Sequence, residues 1–305
     1  MKPTSIIFLI VSILLVLGGF AAVGVARQMA VTEGIELVSS IADDAGNYIY
    51  SYDYDADSIG KITVDVKDAN VNIIGGSAKP YVELVNFPEG MYEFSSTNRN
   101  LNIGNNTDFT SLNGIASLAM NFQGLRSLIN YYNISGLEKT VNIYLCDEHP
   151  VTVIDCRVET GNVSIRRNAT ETDYNVEIGT GELSVSDIST VSVLNVSIEN
   201  GDVNIEDSMI YYIDGKIVTG SMAFEGEMRT IDLAIETGDF TFRSTFGLEY
   251  YNLKLSTNVG SIAVNGEDFG GAYESMSFPT TDLITIDIGT GSIDLDNAAS
   301  LDNPA

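Results

Sequence analysis

The sequence predicts an all-β protein, a parallel β-solenoid (β-helix) of about 20-residue coils, and three observations carry that prediction. First, one phrase keeps returning: VETGNVSI at 158–165, EIGTGELSV at 177–185, IENGDVNI at 198–205 and IETGDFTF at 235–242. Second, apolar and polar residues alternate on both sides of each Thr-Gly or Asn-Gly pair, the period-2 signature of strands with one buried face. The parity breaks only at the pair itself, so the two strands are joined by a bend. Third, the glycines recur at Gly161, Gly181, Gly201, Gly220, Gly238 and Gly260, a nearly constant spacing of one coil length. A tight hairpin explains an Asn-Gly pair but not this spacing. A fixed period of this length marks repeats that bury their apolar faces only against one another.

Taken in order along the chain, residues 1–4 read as a cytoplasmic stub. Residues 5–26, SIIFLIVSILLVLGGFAAVGVA, run without a charge. At about 1.5 Å per residue they are long enough to cross a hydrocarbon core of about 30 Å. The segment is a transmembrane helix or a signal peptide. Lys2 before it favours a cytoplasmic N-terminus, and both alternatives export the rest of the chain. Gly24 and Ala26 suit a cleavage site, whereas the length of the run suits an uncleaved, single-pass anchor. Residues 27–58 are a juxtamembrane linker and a first strand, 59–297 the solenoid, and 298–305 a C-terminal tail.

Within the solenoid, Ile62, Val64, Val66, Val71 and Ile73, then Val82, Leu84, Leu101 and Ile103, alternate as the first, looser coils. An amphipathic helix is predicted as an insertion over 111–135, where Ile115, Leu118, Phe122, Leu125, Leu128, Ile129 and Tyr132 fall on a stripe spaced three and four apart. The regular coils follow, with Gly161, Gly181, Gly201, Gly220, Gly238, Gly260 and Gly291 at their corners. Two copies are imperfect: Gly215 replaces an apolar residue, and the turn before Gly260 lengthens to TNVG. The step from Gly260 to Gly291 is longer than a coil, and its excess, EDFGGAYESMSFPTT, reads as an inserted loop.

Charge narrows the partners. The formal net charge is -27, from 15 basic and 42 acidic residues. A field of that sign repels phosphate backbones, so nucleic acid is not expected as a ligand. Acids gather at the corners (Glu159, Glu199, Asp202, Glu206, Asp207, Glu236, Asp239), where stacking would set like charges about 5 Å apart. Calcium is the one cofactor the sequence raises: Asp53, Asp55 and Asp57 alternate in DYDADSIG and could converge on a hard cation. The same alternation places them on the solvent face of a strand, opposite Tyr52 and Tyr54. The EF-hand pattern fails, since its glycine and glutamate positions hold Ser58 and Val64.

Cys146 and Cys156 are the disulfide candidate of an exported chain, or two small apolar residues in a reduced one. With His149 the lone histidine, a zinc site lacks ligands. No GxSxG elbow, HExxH or P-loop is present, and Arg166, Arg167, Arg229 and Arg243 read as charge balance on exposed strands. No enzyme is therefore expected, and a polysaccharide hydrolase or lyase is the remaining catalytic alternative. Tyrosines cluster at 48–54, 131–132, 211–212 and 250–251. Ranged along a solenoid wall they could stack on sugars or dock a protein, though strand propensity also favours them. Sequons begin at Asn105, Asn133, Asn162, Asn168 and Asn195, and double as turn asparagines.

The run ITVDVKDANVNIIGG, then YEFSSTNRNLNIGNN, then VNIYLC leading into serial TGNVSI, TGELSV and NGDVNI resembles the bacterial DUF4097 proteins, which carry an adhesin label by analogy. The resemblance covers about residues 60 to 297. It implies an all-β solenoid, often tethered by an N-terminal membrane segment, with no catalytic residues to carry over. Cys146 stands where many members have proline, and the 111–135 helix is an addition. The expectation is a membrane-anchored, extracytoplasmic binding or scaffold module at the cell surface, with a protein or glycan ligand. The alternative is an envelope stress-sensing or regulatory component that works through a membrane-protein partner.

Overall fold

The computed structural model describes residues 41–42, 47–55, 59–87, 92–105, 134, 136–148, 150–168, 171–189, 191–276 and 280–297. The predicted anchor at 5–26, Asp57, and all of the predicted 111–135 helix except the buried Ile134 lie outside these residues. Among the described residues no helix is long and apolar enough to cross a membrane.

Those residues form strands that stack in two walls. A regular coil contributes one strand to each wall. Val153–Thr160 enters the first wall, Gly161 turns the chain, and Val163–Arg166 lies in the second. The next coil repeats this as Thr172–Thr180 and Leu183–Ser186. Equivalent strands pair in parallel: Val176 lies opposite Cys156 on one side and Val196 on the other, its counterparts one repeat back and one repeat on. Side chains at alternate positions therefore meet their equivalents in the neighbouring coil. Cys156, Val158, Val163 and Ile165 are all buried, and their equivalents in the regular coils join one apolar core between the walls. Gly215, the gap in the repeat, faces this core too. A Cβ there would lie 2.6 Å from Leu233 Cδ1, so a side chain of the next coil occupies the space that the missing one would need.

Each corner glycine holds positive φ, from 141° at Gly161 to 151° at Gly260. The cause is twofold. The turn itself requires that conformation, and the coils stack so closely that a Cβ on Gly201 would lie 1.7 Å from the Gly181 carbonyl oxygen. The same contact recurs up the stack, from Gly161 to Gly291. A second periodic corner carries no such mark in the sequence. Arg167, Asp187 and Asp207 adopt left-handed φ of 56°, 56° and 47°, again one coil apart. Aspartate tolerates that region better than most residues, so the local chemistry fits, but no glycine flags the position.

The stacking order departs from chain order at both ends. The order of the glycines predicts that the coil of Gly260 lies against that of Gly238. Instead Leu283–Thr290 pairs with the strand Met222–Thr237 on one side and Asn252–Val259 on the other. The chain thus runs outward to the Gly260 coil and returns to insert the Gly291 coil beneath it. At the other end Lys61–Asp68 lies between Asn100–Asn105 and Val153–Thr160. Both outermost coils are then covered by antiparallel strands. Tyr92–Thr97 pairs with Asn100–Asn105 and Tyr81–Val85 with Thr140–Tyr144 at one end; Ala272–Ser275 pairs with Asn252–Val259 at the other. An open stack would expose a row of unpaired backbone groups, and these strands cover it. Val82 and Leu84, read as part of a coil, belong to such a cap. The segment read as an inserted loop after Gly260 supplies another.

The corner acids form only part of the expected ladder of like charge: Glu182 and Asp202 lie in adjacent coils, as do Asp187 and Asp207 at the second corner, whereas the column before the glycine is interrupted. In register, Glu159 is followed by Gly179, Glu199, Val218, Glu236 and Gly289, so no two carboxylates of this column lie in adjacent coils. Those after the glycine cap the next coil. Asp202 Oδ1 accepts the Ser221 N–H at 2.7 Å, and Asp239 Oδ1 accepts the Ser292 N–H at 2.7 Å. Cys146 and Cys156 are buried free thiols and no disulfide joins them. Cys156 lies in a first-wall strand facing the core, whereas Cys146 follows the second-wall strand Thr140–Tyr144. Burial raises the Cys156 thiol to about 12.

Candidate functional site

Two concave surfaces stand out, and they differ in how much of their chemistry is already used. The first is a shallow trough of about 760 Å³ on the outer face of the first wall. Its floor is the outward-facing row Asp155, Asn175, Asn195 and Asp214, one residue from each successive coil. Asn195 Nδ2 donates to Asn175 Oδ1 at 2.6 Å, and Asn175 Nδ2 donates to Asp155 Oδ1 at 2.6 Å. The Lys61 ammonium closes the row on Asp155. Burial alone would raise the Asp155 carboxyl, but the hydrogen bonds from Lys61 and Asn175 outweigh it and hold the group below the usual carboxylate range. Ionised Asp155 therefore stabilises the fold above the ordinary carboxylate pKa, and that contribution is lost as pH falls through its lowered value. Beside this row Arg157 meets Glu177 at 3.7 Å and Lys216 meets Glu236 at 3.3 Å. Much of the trough's polar floor is thus tied into its own hydrogen bonds and ion pairs.

The second surface is a groove of about 740 Å³ at the return corner of the C-terminal coils. It exists because of the inverted stacking order. After Ser244 the chain must cross the Gly291 coil to reach the outer one, and residues 245–251 make that crossing above the wall. Leu248–Tyr250 is a short 3-10 helix, pinned to the coil beneath by the Leu248 N–H donating to Asn297 Oδ1 at 2.7 Å. Tyr251 anchors the crossing from below. It is buried, lies edge-on to Phe242 at 5.8 Å, and its hydroxyl bonds the Ser244 side chain and the Met228 backbone. The net effect of its surroundings, burial first, is a raised phenol pKa.

Phe246 and Tyr250 are left standing on this crossing, 61% and 59% exposed. Opposite them, Tyr211 and Arg229 are cross-strand neighbours, with the guanidinium 5.0 Å over the tyrosine ring. Glu227 and Asp282 supply carboxylates at the rim. The groove therefore offers open aromatic faces, one donor fork and two acceptors.

The other residues singled out in the sequence are placed as follows. Asp53 ends the strand Tyr48–Asp53 on the solvent face, with Asp55 exposed beyond it, while Tyr52 and Tyr54 turn inward. Among the described residues no group of three or more acidic, cysteine or histidine side chains converges as a metal site. The N-terminal tyrosines are structural. Tyr52 stacks on Phe94 at 4.4 Å, and its hydroxyl shares a 2.5 Å hydrogen bond with that of Tyr92. Asn168 is buried and donates to the Tyr174 hydroxyl at 2.6 Å, so in the folded chain that sequon asparagine serves the core. Arg243 sits between Glu225 and Asp296 in register, as charge balance. Phe246 falls outside every repeat, so no periodic signal in the sequence marks it.

The family model described as Toastrack DUF4097 matches residues 59–274, more than two thirds of the chain. Among curated proteins none matches. Several solved structures are similar at low identity. A "putative cell adhesion protein" from Clostridium sporogenes is 13% identical with a TM-score of 0.37, over 82% of this chain and 99% of that one. A "putative adhesin" from Bacteroides fragilis is 11% identical with a TM-score of 0.42, over 82% and 96%. A "putative lipid binding protein" from Parabacteroides distasonis is 9% identical with a TM-score of 0.29, over 82% and 96%.

Proposed function

Because this chain belongs to the Toastrack DUF4097 family, we propose that it is a non-catalytic binding module, tethered to the cell membrane by residues 5–26 and displayed outside the cytoplasm. The observation that carries the reading is the groove beside Tyr250. The trough on the first wall ties much of its polar floor into its own hydrogen bonds and ion pairs, but here large rings stand in water on a segment fixed to the coil beneath. Rigid aromatic faces give contact area at small entropic cost, which suits recognition. Carboxylate-pair hydrolysis of a glycan along this trough would ask for a carboxylate held protonated beside an ionised one. The trough instead holds Asp155 ionised by Lys61 and Asn175. The uncharged run at 5–26 and the acidic remainder fit a chain anchored by its N-terminus and kept soluble outside the membrane.

Topology has its own test. Protease added to intact, wall-stripped cells is expected to digest the chain beyond residue 27, and the undigested protein to pellet with membranes. Full protection in sealed cells would contradict export. Recovery of the domain in the medium would replace the anchor with a cleaved signal peptide. Cross-linking on such cells is expected to trap a ligand outside the membrane, whereas capture of a membrane protein alone would favour the stress-sensing alternative.

A further inference from the structure

We propose that the groove formed by Tyr211, Arg229, Phe246 and Tyr250, with Glu227 and Asp282 at its rim, binds uncharged oligosaccharides; this rests on the chain being a binding module. The chemistry on both sides matches. A pyranose presents a flat, apolar C–H face edged by hydroxyls that both donate and accept. Phe246 and Tyr250 expose ring faces for the first, 61% and 59% open to water. The hydroxyls would find acceptors in the two carboxylates and donors in the guanidinium, which its stacking over Tyr211 at 5.0 Å already orients. The volume of about 740 Å³ lies within the range of small-ligand sites, about 300–1,000 Å³.

Other occupants fit less well. A polyanionic glycan would meet two carboxylates against one guanidinium, on a chain with 42 acidic and 15 basic residues. An acyl chain would have to desolvate three charged side chains without offering them a partner. A quaternary ammonium would share the aromatic surface with a cation already seated on it. An uncharged sugar requires none of these.

The full-length chain in detergent micelles, titrated with cellotetraose, maltotetraose, xylotetraose and fully N-acetylated chitotetraose, tests this. The chain has no tryptophan, so tyrosine fluorescence is read without interference from indole; with saturation-transfer NMR it reports binding, and the groove variants locate it. At least one tetrasaccharide is expected to bind with Kd below about 1 mM. Phe246→Ala and Tyr250→Ala should each weaken it by about tenfold or more. Both rings are more than half exposed, so the melting temperature should stay near wild type and report that the fold is intact. Tyr212→Ala, 53% exposed but outside the groove, should bind like the parent. The proposal is overturned if no tetrasaccharide binds, if the two groove variants bind as the parent does, or if polygalacturonate or phosphatidylcholine vesicles bind in preference. Should it fail while cross-linking on cells still traps an external ligand, the module stands and only its sugar is lost. If cross-linking fails as well, both fall.

Discussion

Gly201→Val is expected to cost more than about 4 kcal/mol of unfolding free energy, a large share of the roughly 5–15 kcal/mol that holds an ordinary domain together. Two independent penalties act at this one position. The backbone sits at φ 145°, a conformation that L side chains rarely adopt. A Cβ there would also lie 1.7 Å from the Gly181 carbonyl oxygen, and that atom is backbone, held in the ladder by its own neighbours. Moving Gly201 away is no remedy, because Gly220 stacks on its other side with a Cβ distance of 1.9 Å. Gly266→Ala separates the two penalties. Gly266 also has positive φ, at 77°, but a Cβ there meets nothing within 4 Å. It should cost only the backbone strain, about 1 kcal/mol. Urea titration of the parent and both variants measures the difference. Equal midpoints for Gly201→Val and Gly266→Ala would show that the glycine ladder is not close-packed.

The regular coils were legible in the sequence because everything that makes them is local. Alternation sets which side chains face inward, and the Gly corner is written afresh in each copy, as at Gly161, Gly181 and Gly201. The order of stacking at the ends was not legible. Gly260 and Gly291 carry the same corner chemistry, and nothing in either says which lies against Gly238; parallel pairing is a non-local choice made by the whole core. The caps were obscured for a related reason. Val82 and Leu84 alternate as any strand does, and period alone does not separate an antiparallel cap from a parallel coil. The Glu159 column was misread because a one-dimensional list omits register. Glu159 and Glu199 share a column only with Gly179 between them.

The groove was half legible. Tyr211 and Tyr250 belong to clusters visible in the sequence, yet the cluster containing Tyr50 and Tyr52 looks the same there and packs against the core. What distinguishes them is the crossing at 245–251, itself a product of the inverted end. Phe246 had no signal at all. A site that arises where the repeat breaks is invisible to reasoning that proceeds by finding the repeat.

The second large effect is expected from Val203→Asp, at about 3–5 kcal/mol, against less than about 0.5 kcal/mol for its neighbour Asn204→Ser. Val203 is 1% exposed and lies in register between Leu183 and Met222, so an aspartate there enters the core with apolar neighbours on both sides. Asn204 points to water between Ser184 and Ala223, and its side chain bonds only Glu206 among the described contacts. One residue of parity thus separates the two outcomes. The penalty should also depend on pH in a way that identifies its cause. A carboxyl buried without a partner has its pKa raised in the folded state, so the ionised form carries the full penalty at neutral pH. As pH falls through that raised value the folded chain takes up a proton and the deficit relative to the parent shrinks; a deficit independent of pH would indicate shape alone. Because every coil leans on the next, the loosening should spread. Amide exchange should quicken around Gly181 and Gly220 as well as in the strand Val203–Thr219, whereas exchange confined to residues 196–205 would mean the coils do not share a cooperative core.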